Sequence, residues 1–68
     1  MITNSFIVSR IIQARKEAHI SESELACRIG RHRNTIICWR IKGSKIGVIE
    51  LMQIAEITGK PLSFFIGQ

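Results

Sequence analysis

The chain has little of what secreted and membrane proteins require. Its 68 residues include two cysteines, one proline and no tyrosine. Cys27 and Cys38 are too few for the disulfide framework of a small secreted domain, and no signal peptide is seen, so we expect reduced thiols in a cytoplasm. No apolar run approaches the roughly 18 residues that mark a membrane-spanning helix. The sequence therefore predicts one small domain, 1–68, that does not enter a membrane.

Acidic residues are also scarce. Five acidic residues stand against ten Lys and Arg, which gives a net charge of +5 and a pI near 10.0. This balance favours a polyanionic partner, and nucleic acid is favoured over membrane because no long basic amphipathic helix is seen. Hydrophobic residues make up 46% of the chain, enough for a core. A chain this short buries only about 60% of its unfolded surface, so part of that content could serve a dimer interface.

Metal and catalytic patterns are weak. A zinc site from His19, Cys27, His32 and Cys38 can be imagined, but it lacks the closely spaced ligand pairs of structural zinc sites. Neither histidine has a nearby carboxylate or nucleophile in a catalytic pattern. We therefore expect no metal, no cofactor, no small-molecule substrate and no enzyme activity.

Helical periodicity runs through the chain, and no strand pattern competes. A first helix is predicted from a cap at Asn4 or Ser5 to about Ala18, with an apolar stripe of Phe6, Ile7, Ile11, Ala14 and Ala18. Ser21 and Glu24 form the capping box of a second helix, which Gly30 ends in a left-handed conformation. A fourth helix follows the Ile41–Gly47 loop and stops at Gly59, and Pro61 opens a short last helix, Leu62 to Ile66.

The third helix, beginning near Arg33, has two unlike faces. Ile36 and Trp39 fall on one side and are predicted to be buried. The opposite side carries Arg33, Asn34, Ile37 and Cys38, a mixture of long donors and apolar groups. Such a face suits the major groove of DNA, where Arg binds guanine, Asn binds adenine and an apolar group contacts a thymine methyl. The alternative is an ordinary surface helix of a small bundle.

Taken together, these segments resemble the phage Cro–repressor type of helix-turn-helix domain, the XRE family. The resemblance covers about Phe6 to Ile66. It is carried by Arg15, the stretch Ile20–Gly30, Thr35, Ile36, Trp39, Val48, Leu51, Ile54, Ala55, Gly59 and Leu62–Phe65. It implies an all-α, lambda-repressor-like bundle of five helices, with the motif at about residues 22–41.

The resemblance also implies which residues meet DNA. In this family the second helix of the motif enters the major groove, and the first lies across the backbone. The positions expected to read bases are His32, Arg33, Asn34, Ile37 and Cys38. The positions expected to meet phosphates are Ser21, Glu22, Arg31, Arg40, Lys42 and Lys45.

Four positions depart from the family pattern. Glu22 stands where glutamine is frequent, so it either caps the helix or pairs with an arginine. Arg31 replaces an apolar residue, which either loosens the turn or reaches DNA. Arg40 replaces a glutamate that often pairs with the arginine at Arg15, so Arg15 must find another acid. Ile37 and Ile41 are more apolar than a DNA-facing surface requires.

These observations predict a sequence-specific regulator that binds double-stranded DNA. We expect a repressor that binds its operator as a homodimer and blocks access to it. We expect it to act in a bacterial cytoplasm or nucleoid, and a phage or prophage gene could encode it. The alternative is a protein-interaction module of the same fold, for example an antitoxin-like or adaptor protein, suggested by the apolar Ile37, Cys38, Ile41 and Phe64.

The dimer interface is expected in the last helix. A chain of 68 residues has no room for a separate dimerisation domain. Leu62 and Phe65 are predicted to face the core, which turns Phe64 outward with Ile66 near it. An exposed phenylalanine suggests a covering partner. The Lys42–Gly47 loop and the start of the fourth helix are the second choice.

Overall fold

Five helices account for most of the computed structural model, which describes residues 3–67 and has no strand in that span. They are α1 (Asn4–Glu17), α2 (Glu22–Arg28), α3 (Arg33–Ile37), α4 (Val48–Thr58) and α5 (Leu62–Ile66), and a π-helical turn (Cys38–Lys42) continues α3. The predicted all-α five-helix bundle is confirmed. The loop expected from Ile41 begins later, at Gly43, because the π turn includes two more residues.

Side chains start the first two helices. Thr3, rather than Asn4 or Ser5, caps α1: its Oγ1 accepts a hydrogen bond from the Phe6 N–H at 3.1 Å. The prediction at Ser21 is confirmed, since its hydroxyl accepts from the Glu24 N–H at 3.1 Å. The Glu24 carboxylate does not complete the predicted capping box, because it binds Arg28 Nη2 at 2.7 Å, one turn along α2.

Residues with positive φ follow several of the helices. Gly30 has φ of 73°, and the next amide, that of Arg31, donates to the Ala26 carbonyl at 2.8 Å, which closes α2 and reverses the chain. Gly59 ends α4 in the same way, as predicted. His19 takes this conformation after α1 with φ of 57°, although it carries a Cβ. Glycine adopts this region without the steric cost that other residues meet.

All five helices contribute buried side chains to a single core. Trp39 is 4% exposed, which confirms the phase predicted for the third helix. The fully or nearly fully buried set is Ile11, Ala14, Ile20, Leu25, Ala26, Ile29, Ile36, Trp39, Leu51, Ile54, Ala55 and Phe65. No helix in residues 3–67 is long and apolar enough to cross a membrane.

The last helix differs from its prediction in two ways. Leu62, expected in the core, is 41% exposed. It is the first residue of a helix of only five, following extended Pro61, and Phe65 alone fills the core site. Phe64, expected to be exposed, is half-buried: the Arg10 and Lys60 cations lie 4.9 and 5.1 Å from its ring centroid, and Phe65 meets it edge-on at 5.3 Å.

That cover removes the reason for placing the dimer interface at Phe64. A ring stacked by two cations and a second ring is already shielded from water within its own chain. Ile66 is likewise half-buried and packs against the core. Among residues 3–67, the large apolar side chains that are exposed are Ile41, Val48, Ile49, Met52 and Leu62.

Candidate nucleic-acid interface

The turn between α2 and α3 presents one face of α3 to solvent. Residues 29–32 connect the two helices, which pack against each other. Ile36 and Trp39 are buried beneath α3 and its π turn, which fixes the rotation of this segment about its axis. Arg33 and Asn34 are exposed, so their donors are free to meet a partner. The sequence predicted this arrangement because the spacing of the two buried residues sets it.

His32, which is predicted to read bases, also has a structural role. It is the N-cap of α3, and its Nδ1 accepts a hydrogen bond from the Asn34 N–H at 3.1 Å. This bond requires an unprotonated Nδ1, which leaves Nε2 of the neutral ring as an N–H donor at the surface. The cap therefore holds the imidazole beside Arg33 and Asn34 in a fixed orientation.

Ile37 and Cys38 are less available than the other three residues of the predicted base-reading set. Both are half-buried. Partial exposure of a thiol and an apolar side chain suits contact with a thymine methyl more than deep insertion. Cys27 lies on the exposed side of α2, and both thiols are free.

Positive charge concentrates around α3. Residues 31–45 contain Arg31, Arg33, Arg40, Lys42 and Lys45 and no acidic residue. Half of the ten cationic side chains of the chain thus lie in a segment of 15 residues. A positive stripe along one helix and its following loop is the electrostatic feature expected of a phosphate-binding face.

Two of those cations are neutralised by acids that come from other helices. Arg40 Nε lies 3.1 Å from a Glu22 carboxylate oxygen, and Arg31 Nε lies 2.9 Å from one of Glu50. The alternative in which Glu22 pairs with an arginine is therefore confirmed. The expectation that Arg15 finds an acid is wrong, because its guanidinium donates to the Ile20 carbonyl at 2.9 Å.

The predicted phosphate-contacting residues are divided between the two ends of α3. Arg40 and Lys42 border a groove with the first turn of α1. Arg31 borders another groove, formed with the start of α4. Ser21 and Glu22 begin α2 and reach the first group through the Glu22–Arg40 pair. Lys42 and Lys45 are exposed on either side of Gly43 and Ser44.

Asn4 was predicted to cap the first helix, but its side chain binds the basic loop of the candidate interface instead. Its side-chain amide donates to the carbonyls of Ser44 at 3.0 Å and Gly43 at 3.3 Å. These bonds tie the basic loop to the start of α1 and so hold the backbone between Lys42 and Lys45. An asparagine near a helix start is a common cap, and sequence spacing gives no sign of a partner about 40 residues away.

The imagined zinc site is not assembled in residues 3–67. In that span no group of three or more His, Cys, Asp or Glu side chains lies close enough to hold a metal ion.

Comparisons with known proteins include a likeness to a solved structure. No protein-family model matches the chain, and no curated protein matches it either. A solved structure, that of hydroxypropylphosphonic acid epoxidase from S. wedmorenis, matches with a TM-score of 0.81 over 96% of this chain. The two sequences are 17% identical, and the match covers 35% of the epoxidase chain. The likeness therefore shows that this helical fold occurs within a longer protein.

Proposed function

We propose that this chain is a sequence-specific regulator that binds double-stranded DNA through α3. One observation carries the proposal: an acid-free segment with five cations is built on a helix whose opposite side is anchored by Ile36 and Trp39. An anchored helix presents its exposed donors in a fixed geometry, which sequence-specific reading requires. Arg33 and Asn34 are the donors best placed for guanine and adenine edges.

Affinity and specificity come from different residues. Lys42 and Lys45 meet phosphates, in a loop that Asn4 holds against α1. Arg33, Asn34 and the outer nitrogen of His32 select bases, with Ile37 and Cys38 at the edge of the contact. Phosphate contacts make binding salt-dependent, whereas base contacts make it sequence-dependent.

Repression by occlusion is the simplest mechanism for a chain of this size. Two copies, each with one recognition helix, cover two half-sites about 34 Å apart and exclude another protein from the same DNA. The function needs no catalysis, and we propose that the chain acts in a bacterial cytoplasm without a cofactor of its own.

A selection of bound duplexes from random DNA tests this proposal and supplies the preferred sequence. Arg33→Ala should weaken binding to the selected duplex by about 1–3 kcal/mol and to random duplex by less. Lys16→Ala, which removes the same charge from an exposed position of α1, is the control and should change both equally. A selection that enriches no sequence, with equal losses for the two variants, would overturn the proposal.

A second candidate is an interaction module for another protein. It is favoured by large apolar side chains at the surface, chiefly Ile41, Val48 and Ile49. Duplex titration separates the two candidates, since a module of this kind should bind random DNA weakly and show no preferred sequence at low salt.

A further inference from the structure

The start of α4 presents an apolar surface to solvent. Val48 is 70% exposed, Ile49 74% and Met52 54%. Met52 follows Ile49 by three residues and Val48 by four, so its side chain neighbours both of theirs on the helix surface. The core residues of α4, namely Leu51, Ile54 and Ala55, occupy another side. We call Val48, Ile49 and Met52 the α4 patch.

The α4 patch lies next to the candidate DNA interface. Val48 and Ile49 share a groove with Ile29 and Arg31, which belong to the turn immediately before α3. Arg31 also joins α4 through its ion pair with Glu50. A second protein bound at the α4 patch would therefore lie beside the candidate DNA interface.

We infer that the α4 patch is the contact between two copies of this chain bound to adjacent half-sites. The inference rests on the proposed function, because a chain with one recognition helix reads one half-site. A two-fold axis that relates two half-sites brings the same surface of each copy together. Because the α4 patch borders the turn before α3, the patches of two copies can meet while each recognition helix stays in its own half-site.

Charge also favours a second copy at this surface. Each chain has a net charge of +5, so most approaches between two copies are repulsive. The α4 patch is uncharged, and the Arg31 beside it is neutralised by Glu50 at 2.9 Å. Two copies can therefore meet here without placing unpaired cations against each other.

The size of the patch sets the strength of the contact. It consists of three side chains in each copy, whereas a standard interface involves about 20–30 residues a side and buries at least roughly 1,200 Å². Such a contact is weak between free chains. It contributes on DNA, where binding to neighbouring half-sites raises the effective concentration of one copy near the other.

The test uses the full chain and two matched variants. Ile49→Glu places a charge in the α4 patch at an exposed position in the first turn of a helix, where an acidic residue suits the helix dipole. Leu62→Glu makes the same change in the first turn of α5, at a position that is also exposed. The two variants have equal net charge, so any nonspecific loss of DNA affinity is shared.

Binding is measured on duplexes that contain one or two copies of the selected half-site. We expect wild type and Leu62→Glu to bind two half-sites cooperatively, by a factor of about 10–100, and Ile49→Glu to lose that factor while keeping its single-site affinity. Loss of cooperativity in Leu62→Glu with retention in Ile49→Glu would place the contact at α5 and overturn the inference. Non-cooperative binding by wild type would overturn it as well.

A second measurement separates this inference from the proposed function. Amide chemical shifts of the free protein, compared between about 20 µM and 1 mM, should change at residues 47–53 in wild type and not in Ile49→Glu. If no duplex is bound but these shifts change, the proposed function fails and the self-contact stands. If duplexes are bound one copy at a time and residues 47–53 do not respond, the self-contact fails and the proposed function stands.

Discussion

Glu22→Gln should strengthen DNA binding, because Glu22 holds a cation away from phosphate. The Glu22 carboxylate lies 3.1 Å from Arg40 Nε, and the two side chains are 19% and 40% exposed. Removing the negative charge releases Arg40 in the middle of the π turn, two residues before Lys42. It also removes a carboxylate from the start of α2, which is expected to face the DNA backbone.

The expected gain can be estimated. One added charge-assisted contact is worth about 1–2 kcal/mol, or about 5–30-fold in affinity at low salt. The slope of log affinity against log salt should steepen by about 0.9, the value for one more phosphate neutralised. The cost to folding is small, because a partly exposed ion pair contributes about 0–1 kcal/mol and an acid in a first helical turn about 0.3–1 kcal/mol.

Fluorescence anisotropy with a labelled duplex at 50–200 mM salt measures both quantities. Glu56→Gln, an equal charge change at an exposed position of α4, is the control and should leave the slope unchanged. A double-mutant cycle completes the design: Arg40→Gln should cost little in wild type and most of the gain in Glu22→Gln. The reasoning is refuted if Glu22→Gln leaves the slope unchanged, or if Arg40→Gln costs the same in both backgrounds.

Asn34→Ala should cost about 1–3 kcal/mol on the selected duplex and less on random DNA, since the His32 cap uses the Asn34 backbone rather than its amide side chain; equal losses in a competition titration would assign Asn34 to phosphate. Trp39→Ala should lower the free energy of unfolding in urea by about 3–5 kcal/mol; a change below about 1 kcal/mol would show that this ring is not a core anchor. Hydrogen bonds from Lys60 and Gln13, with the Lys60 charge, hold the pKa of Glu17 below its ordinary 4.5. This carboxylate therefore stabilises the fold at pH values above 4.5, and that stabilisation is lost as the pH falls through the lower pKa of the folded state. The free energy of unfolding in urea should therefore fall less between pH 7 and pH 3 for Glu17→Gln than for wild type.

The helical framework was predictable because its signals are local. The hydroxyl of Ser21 caps α2 by accepting a hydrogen bond from an amide three residues away. Gly30 and Gly59 adopt positive φ at the ends of α2 and α4. Ile36 and Trp39 set the phase of α3 by their spacing alone. Each of these features depends on residues within one or two helical turns, and short-range periodicity records such information directly.

The errors arose where partners are distant in sequence. Phe64 is covered by Arg10, from a helix at the other end of the chain, and no local pattern announces that contact. Asn4 binds Ser44 across 40 positions instead of capping α1. The prediction for Leu62 was wrong for another reason: its spacing from Phe65 put both side chains in the core, but only Phe65 is buried there, and spacing does not show how near each end of α5 lies to the core.

Contacts between residues that are distant in sequence also determine how many cations of the proposed interface are free to bind DNA. By sequence, residues 31–45 present five cations, which predicts a salt slope steeper than −4 for one copy. The structure joins Arg31 to Glu50 and Arg40 to Glu22, which leaves Arg33, Lys42 and Lys45 without ion pairs within residues 3–67. The expected slope for one copy on a single half-site is therefore about −2 to −3. A measured slope near −4.5 would mean that both ion pairs break on binding, and the steeper slope predicted for Glu22→Gln would then be absent.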